Sequence, residues 1–87
     1  MQPCYTLYMN TPQITVYSAT WCAFCHAAKQ YFDKLHVAYV DKDVDSDPTF
    51  LQESVQKSGQ MGIPVIDING EIIVGFDRAK IDAALNK

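Results

Sequence analysis

The spacing of hydrophobic positions changes several times along the chain, and each change marks an element. Residues 1–12 show no period and end in Asn10-Thr11-Pro12, which reads as an N-terminal extension leading into a single domain over residues 13–87. From Ile14 to Ser18 the pattern alternates, Ile14 and Val16 against Thr15 and Tyr17, with β-branched and aromatic side chains that predict a strand. From Cys22 to about His36, the residues Cys25, Ala28, Phe32 and Leu35 recur at helical spacing, while Lys29, Gln30, Asp33 and Lys34 fall on the wet side. That predicts a helix starting at the cysteines. Val37 to Val44 reads as a second strand. Asp47 then offers an N-cap with Pro48 at the first helical position, opening a second helix that runs to about Ser58 and stops at Gly59. Two apolar runs flank Asn69-Gly70, the dipeptide best suited to a type I′ hairpin turn. Asp77 can cap a last helix in which Ile81, Ala84 and Leu85 share a face.

The resulting order is β-α-β-α-β-β-α, an α/β domain. A helical crossover between the first two strands makes them parallel, and the hairpin completes a four-stranded mixed sheet flanked by helices. With 87 residues there is room for one modest core. Hydrophobic residues make up 48% of the chain and charged residues 20%, an ordinary globular balance. The formal net charge is −3 and the seven Lys and Arg are scattered, so no basic stripe exists to neutralise phosphates or hold an anionic membrane surface. Nucleic acid and membrane are not expected partners, and a monomer is expected. No run approaches the roughly 20 apolar residues of a membrane span. The first ten residues also lack the charged head and apolar core of a signal peptide, so the expected location is cytoplasmic.

Three cysteines is an odd count for a disulfide-stapled secreted domain, which points to chemical rather than structural use. Cys22 and Cys25 lie in Thr20-Trp21-Cys22-Ala23-Phe24-Cys25-His26. The spelling admits a redox dithiol, half of a zinc site, or the Cys-x-x-Cys-His signature of c-type haem attachment. Haem attachment calls for an export route and a helical pocket around a porphyrin, whereas this pattern contains strands. A structural zinc site calls for four ligands in two pairs, and beyond the pair only Cys4, His26 and His36 are on offer. The plainest alternative is two small apolar residues that happen to fall three apart.

The placement argues for redox chemistry. At the N-terminus of a helix, unpaired N–H groups and the helix dipole favour negative charge, so Cys22 is expected to be exposed and to have a depressed pKa. Cys25 lies one turn along, shielded and titrating higher, where it can attack a mixed disulfide formed on Cys22. No metal ligand is assigned. Pro64 opens the third strand, and an X-Pro bond is the one peptide bond that becomes cis cheaply. A cis Pro64 would present the Ile63 backbone to an extended substrate beside the cysteines.

A Cys-x-x-Cys after the first strand, a proline opening the third and this element order together resemble the glutaredoxin branch of the thioredoxin superfamily, from about Ile14 to Leu85. The resemblance implies a thioredoxin-like fold of glutaredoxin type. It implies Cys22 as nucleophile, Cys25 as resolving thiol and Pro64 as a cis-proline facing them. Glutaredoxins that use glutathione commonly show Gly-Gly followed by acidic residues before the last helix. Here Gly75 and Asp77 fit, whereas Val74 and Arg78 do not. Cys22 to Lys29, with the later Gly75-Phe76, looks closer to the NrdH-redoxins, which resemble thioredoxin in taking electrons from thioredoxin reductase and passing them to ribonucleotide reductase. The expected activity is reduction of protein disulfides with no tightly bound cofactor. Its electron donor would be glutathione or a flavoprotein of the thioredoxin reductase type. The alternative is an iron–sulfur protein holding a cluster between subunits through Cys22, as some glutaredoxins do with glutathione.

Trp21 and Phe24, beside the nucleophile, are candidates for a substrate-docking surface or for lids on the core. Ile63, Gly75, Phe76 and Asp77 complete the candidate substrate site. His26 is expected to be solvated, Tyr31 and Tyr39 to pack, and Cys4 to be incidental.

Overall fold

The computed structural model describes residues 13–86. The expected extension over residues 1–12, Cys4 included, lies outside them. Four strands and three helices follow in the expected order: β1 (Ile14–Ser18), α1 (Ala23–Lys34), β2 (Val40–Asp43), α2 (Pro48–Ser58), β3 (Val65–Ile68), β4 (Glu71–Val74) and α3 (Arg78–Leu85). The sheet order is β2-β1-β3-β4. β1 and β2 run parallel with Thr15 opposite Val40, and the pairs β1–β3 and β3–β4 are antiparallel.

The hairpin turn is made by two residues at positive φ, Asn69 at 55° and Gly70 at 93°, as a type I′ turn requires. Asp47 caps α2 by accepting the Thr49 N–H at 2.8 Å, and Gly59, at φ 76°, ends it in the left-handed conformation. α1 closes differently from the expectation. The helix ends at Lys34, with Leu35 as its C-cap and 40% exposed. His36, at φ 60°, sits where a glycine is usual. The His36 N–H bonds to Asp33 O and the Val37 N–H to Phe32 O, a Schellman closure that consumes two residues before the chain can extend. β2 is accordingly Val40–Asp43 rather than residues 37–44, while Val37 and Tyr39 pack against the core from outside the sheet.

Both faces of the sheet are covered. Ile14, Val16, Ile66, Ile68 and Ile73 meet Ala28 and Phe32 of α1 and Ile81 and Ala84 of α3. On the other side Tyr17 and Val65 pack with Ala19, Cys22, Cys25 and Val44, with Phe50 and Leu51 of α2 against them. The alternating residues of β1 therefore feed two cores, and both cysteines belong to the second.

Candidate active site

β1 ends at Ser18, and a short turn carries the chain over to α1, with the Cys22 N–H bonded to Ala19 O at 3.1 Å. Cys22 is the N-cap of α1, not its first residue, with an extended backbone at φ −93° and ψ 109°. Its Sγ accepts the Cys25 N–H at 3.2 Å, so the sulfur stands where a serine or aspartate cap would place oxygen. The helix N-terminus thereby offers a donor to charge on this sulfur. Cys25 is fully buried, its Cα 5.2 Å from that of Cys22, and the two are joined as a disulfide. The expectation of an exposed Cys22 is corrected: the residue is only 7% exposed, because its sulfur turns inward to Cys25 and packs with Ala19, Val44 and Val65.

Two large exposed aromatic side chains adjoin these cysteines in the sequence. Trp21 is 71% exposed and Phe24 68%, so neither is a lid on the core. Trp21 is held by its indole N–H, which donates to Asp45 Oδ2 at 2.7 Å. Met61, in the loop leading to Pro64, is also 68% exposed and was missed by the sequence reading, since one methionine in a polar loop carries no period.

Pro64 is buried and follows a cis peptide bond from Ile63. Ile63 packs against the cluster that contains both cysteines. Gly75, at φ 84°, donates its N–H to Pro64 O at 2.8 Å, so the end of β4 is tied to the proline. Phe76 turns to the other core and meets Tyr31 edge-on, with ring centres 5.9 Å apart. Asp77 is the N-cap of α3, its Oδ1 accepting the Lys80 N–H at 3.2 Å. Cys22, Cys25, Ile63, Pro64 and Gly75 are thus brought together. Phe76 and Asp77 follow directly but are engaged in packing and capping.

A charged network lies below. Lys29 is not on the wet side: its Nζ is 2.9 Å from Asp41 Oδ2 and 3.4 Å from the buried Ser18 Oγ, which itself donates to Asp41 Oδ1 at 2.6 Å. Burial of Asp41 opposes its charge. The hydrogen bonds from Ser18 and Lys29, with the Lys29 charge, outweigh that and hold the carboxyl below its ordinary range. Lys29 falls four residues after Cys25, on the inward side of α1. His26 is exposed and its Nε2 lies 2.8 Å from Thr20 O, bracing the turn before Cys22. Among the described residues no group of three or more His, Cys, Asp or Glu is arranged to hold a metal. Among them, too, no helix is long and apolar enough to cross a membrane.

The glutaredoxin family model matches residues 14–73, most of the fold and both cysteines. The chain belongs to the glutaredoxin family. A glutaredoxin-like 8.6 kDa protein in the rubredoxin operon of Clostridium pasteurianum is 39% identical over 74 residues, covering 85% of this chain and 99% of that one. Among solved structures, the buckwheat glutaredoxin–glutathione complex superposes with a TM-score of 0.70 at 26% identity, over 97% of this chain and 82% of that one. The glutaredoxin-like protein NrdH-redoxin of Escherichia coli, which has a thioredoxin-like activity profile, superposes with a TM-score of 0.72 at 25% identity. That match covers 82% of this chain and 92% of the other. The fold is thioredoxin-like, and family and cysteine pair together support thiol oxidoreductase chemistry.

Proposed function

We propose that the protein is a small dithiol electron carrier that reduces protein disulfides through Cys22 and Cys25. The observation that carries this reading is the Cys22 sulfur at the N-cap of α1, accepting the Cys25 N–H while joined to the Cys25 sulfur. In the reduced protein the Cys22 thiolate attacks one sulfur of a target disulfide. A mixed disulfide forms and the other target sulfur leaves as a thiolate. Cys25 then gives up its proton, attacks Cys22 Sγ and releases the second target thiolate. The target gains two electrons and, from solvent, two protons, and the Cys22–Cys25 disulfide remains to be reduced by a donor. Trp21, Phe24 and Ile63 form the surface on which the target lies, and its extended backbone runs beside the cis Ile63-Pro64 bond.

The donor is a flavoprotein of the thioredoxin reductase type in preference to glutathione. In support, Asp77 spends a carboxylate oxygen on the Lys80 N–H, and Arg78 stands where a second acid would meet a tripeptide ammonium. The thioredoxin-like profile of the Escherichia coli relative points the same way. The iron–sulfur alternative would instead use the reduced Cys22 thiolate as a cluster ligand between two subunits. Oxidised protein mixed with each donor at matched concentration tests the assignment. Faster reduction by the reductase is expected, and saturable turnover with glutathione alone would reverse it. A visible absorption band after anaerobic purification would favour the cluster reading.

A further inference from the structure

Ala27, Gln30, Tyr31 and Lys34 share one face of α1, and with Phe76 and Arg78 they line an open pocket of about 240 Å³. Lys34 and Arg78 bring two positive charges to it, on a protein whose net charge is −3. The ion pairs of the described residues are Lys29–Asp41, Lys42–Glu53 and Lys57–Asp67, and neither pocket cation takes part in them. The Arg78 guanidinium lies 4.8 Å over the Tyr31 ring, and Tyr31 is fixed in turn by a hydroxyl bond to Asp82 and by the edge of Phe76. Stacking of this kind orients a guanidinium and leaves its N–H edge free for an oxyanion. Gln30 adds a side-chain amide.

The pocket also has a defined reach from the cysteines. Its α1 residues lie roughly 7 to 18 Å beyond Cys22 along the helix axis at 1.5 Å per residue. An extended segment covers about 3.3 Å per residue, so a side chain on the order of three to five residues from a cysteine bonded to Cys22 falls within the span of the pocket's α1 residues. We infer that this pocket selects disulfide partners, by docking a carboxylate carried on the partner segment about three to five residues from the attacked cysteine. This rests on the thiol–disulfide reading above. Charge complementarity and the spacing along α1 define the occupant as an acidic segment of that partner.

The test uses two disulfide-linked peptides that differ only in Glu or Gln at the fourth residue from the cysteine. The reduced protein is compared with its Lys34→Gln/Arg78→Gln variant. Exposed charge pairs of this kind are weak, so the Glu peptide is expected to be favoured about three- to tenfold in kcat/KM, mostly through KM. That preference should vanish in the double variant and shrink at about 0.5 M salt. Equal kcat/KM for the two peptides, or a preference kept by the double variant, overturns the inference. So does a pocket that binds citrate but shows no peptide preference. Should neither peptide be reduced at all, the oxidoreductase reading fails separately. Titration of the same peptides with serine for cysteine, followed by amide chemical shifts at residues 27–34 and 76–78, then decides. Tighter binding of the Glu form upholds acidic-segment docking, and equal or absent binding ends it.

Discussion

Lys29 Nζ and Asp41 Oδ2 meet at 2.9 Å across the end of β1, where they enclose the buried hydroxyl of Ser18. The pair links α1, one turn after Cys25, to the edge strand β2, so the platform beneath the cysteines is held from both sides. Because the Asp41 carboxyl is held below its ordinary value near 3.8, its contribution is present above that value and lost as pH falls through the lower folded value. Asp41 keeps 43% side-chain exposure, so solvent screening limits the effect. Asp41→Asn is expected to destabilise the protein by about 1 kcal/mol or less at neutral pH. The difference should shrink toward zero in strong acid. Urea unfolding of both proteins across that range checks it, and a penalty that persists at low pH would mean that the carboxylate charge is not the cause.

Trp21 donates to Asp45 and otherwise faces solvent. Trp21→Ala should therefore change stability by only about 0.5 kcal/mol. It should raise KM for protein disulfides while affecting small disulfides less. Paired thermal and kinetic measurements separate these effects, and a large drop in melting temperature would make Trp21 structural instead.

At the hairpin, Gly70 has φ 93° and a methyl group there would meet nothing within 4 Å. The cost of Gly70→Ala is then backbone strain alone, about 1 to 2 kcal/mol. Chemical denaturation reads it, and a neutral result would show that the turn relaxes to another type.

The cap at Asp47, the stop at Gly59, the Asn69-Gly70 turn and the cap at Asp77 were legible because each is a local device whose chemistry is written in one or two residues. So was the Cys22–Cys25 pair. The start of β2 was not. Val37 and Tyr39 carry strand-like side chains, but pairing to β1 begins only at Val40, and the left-handed turn at His36 is not announced by a glycine. The cis state of Pro64 was only permitted by the sequence, because its burial and the Gly75 bond to its carbonyl come from residues 11 positions apart. Lys29 was assigned to the wet face since its partners Ser18 and Asp41 lie on two other elements. The burial of Cys22 likewise follows from Val44 and Val65, which no local pattern connects to it.

The asymmetry between the cysteines should persist after reduction, with Cys22 at the helix cap and Cys25 enclosed. Iodoacetamide is expected to label Cys22 first, and its rate should hold at pH values where an ordinary thiol slows. Peptide mapping identifies the site, and initial labelling of Cys25 would reverse the assigned roles.

The most direct test of the dithiol mechanism is Cys25→Ser. Cys22 keeps its cap position and can still attack, but no neighbouring thiol remains to release the mixed disulfide. Reduced variant is incubated with a protein disulfide and sampled after acid quench. The account predicts a covalent adduct with the target, joined through Cys22 and reversible by added thiol, together with loss of protein-disulfide turnover. Turnover at the wild-type rate with no trapped adduct would contradict it.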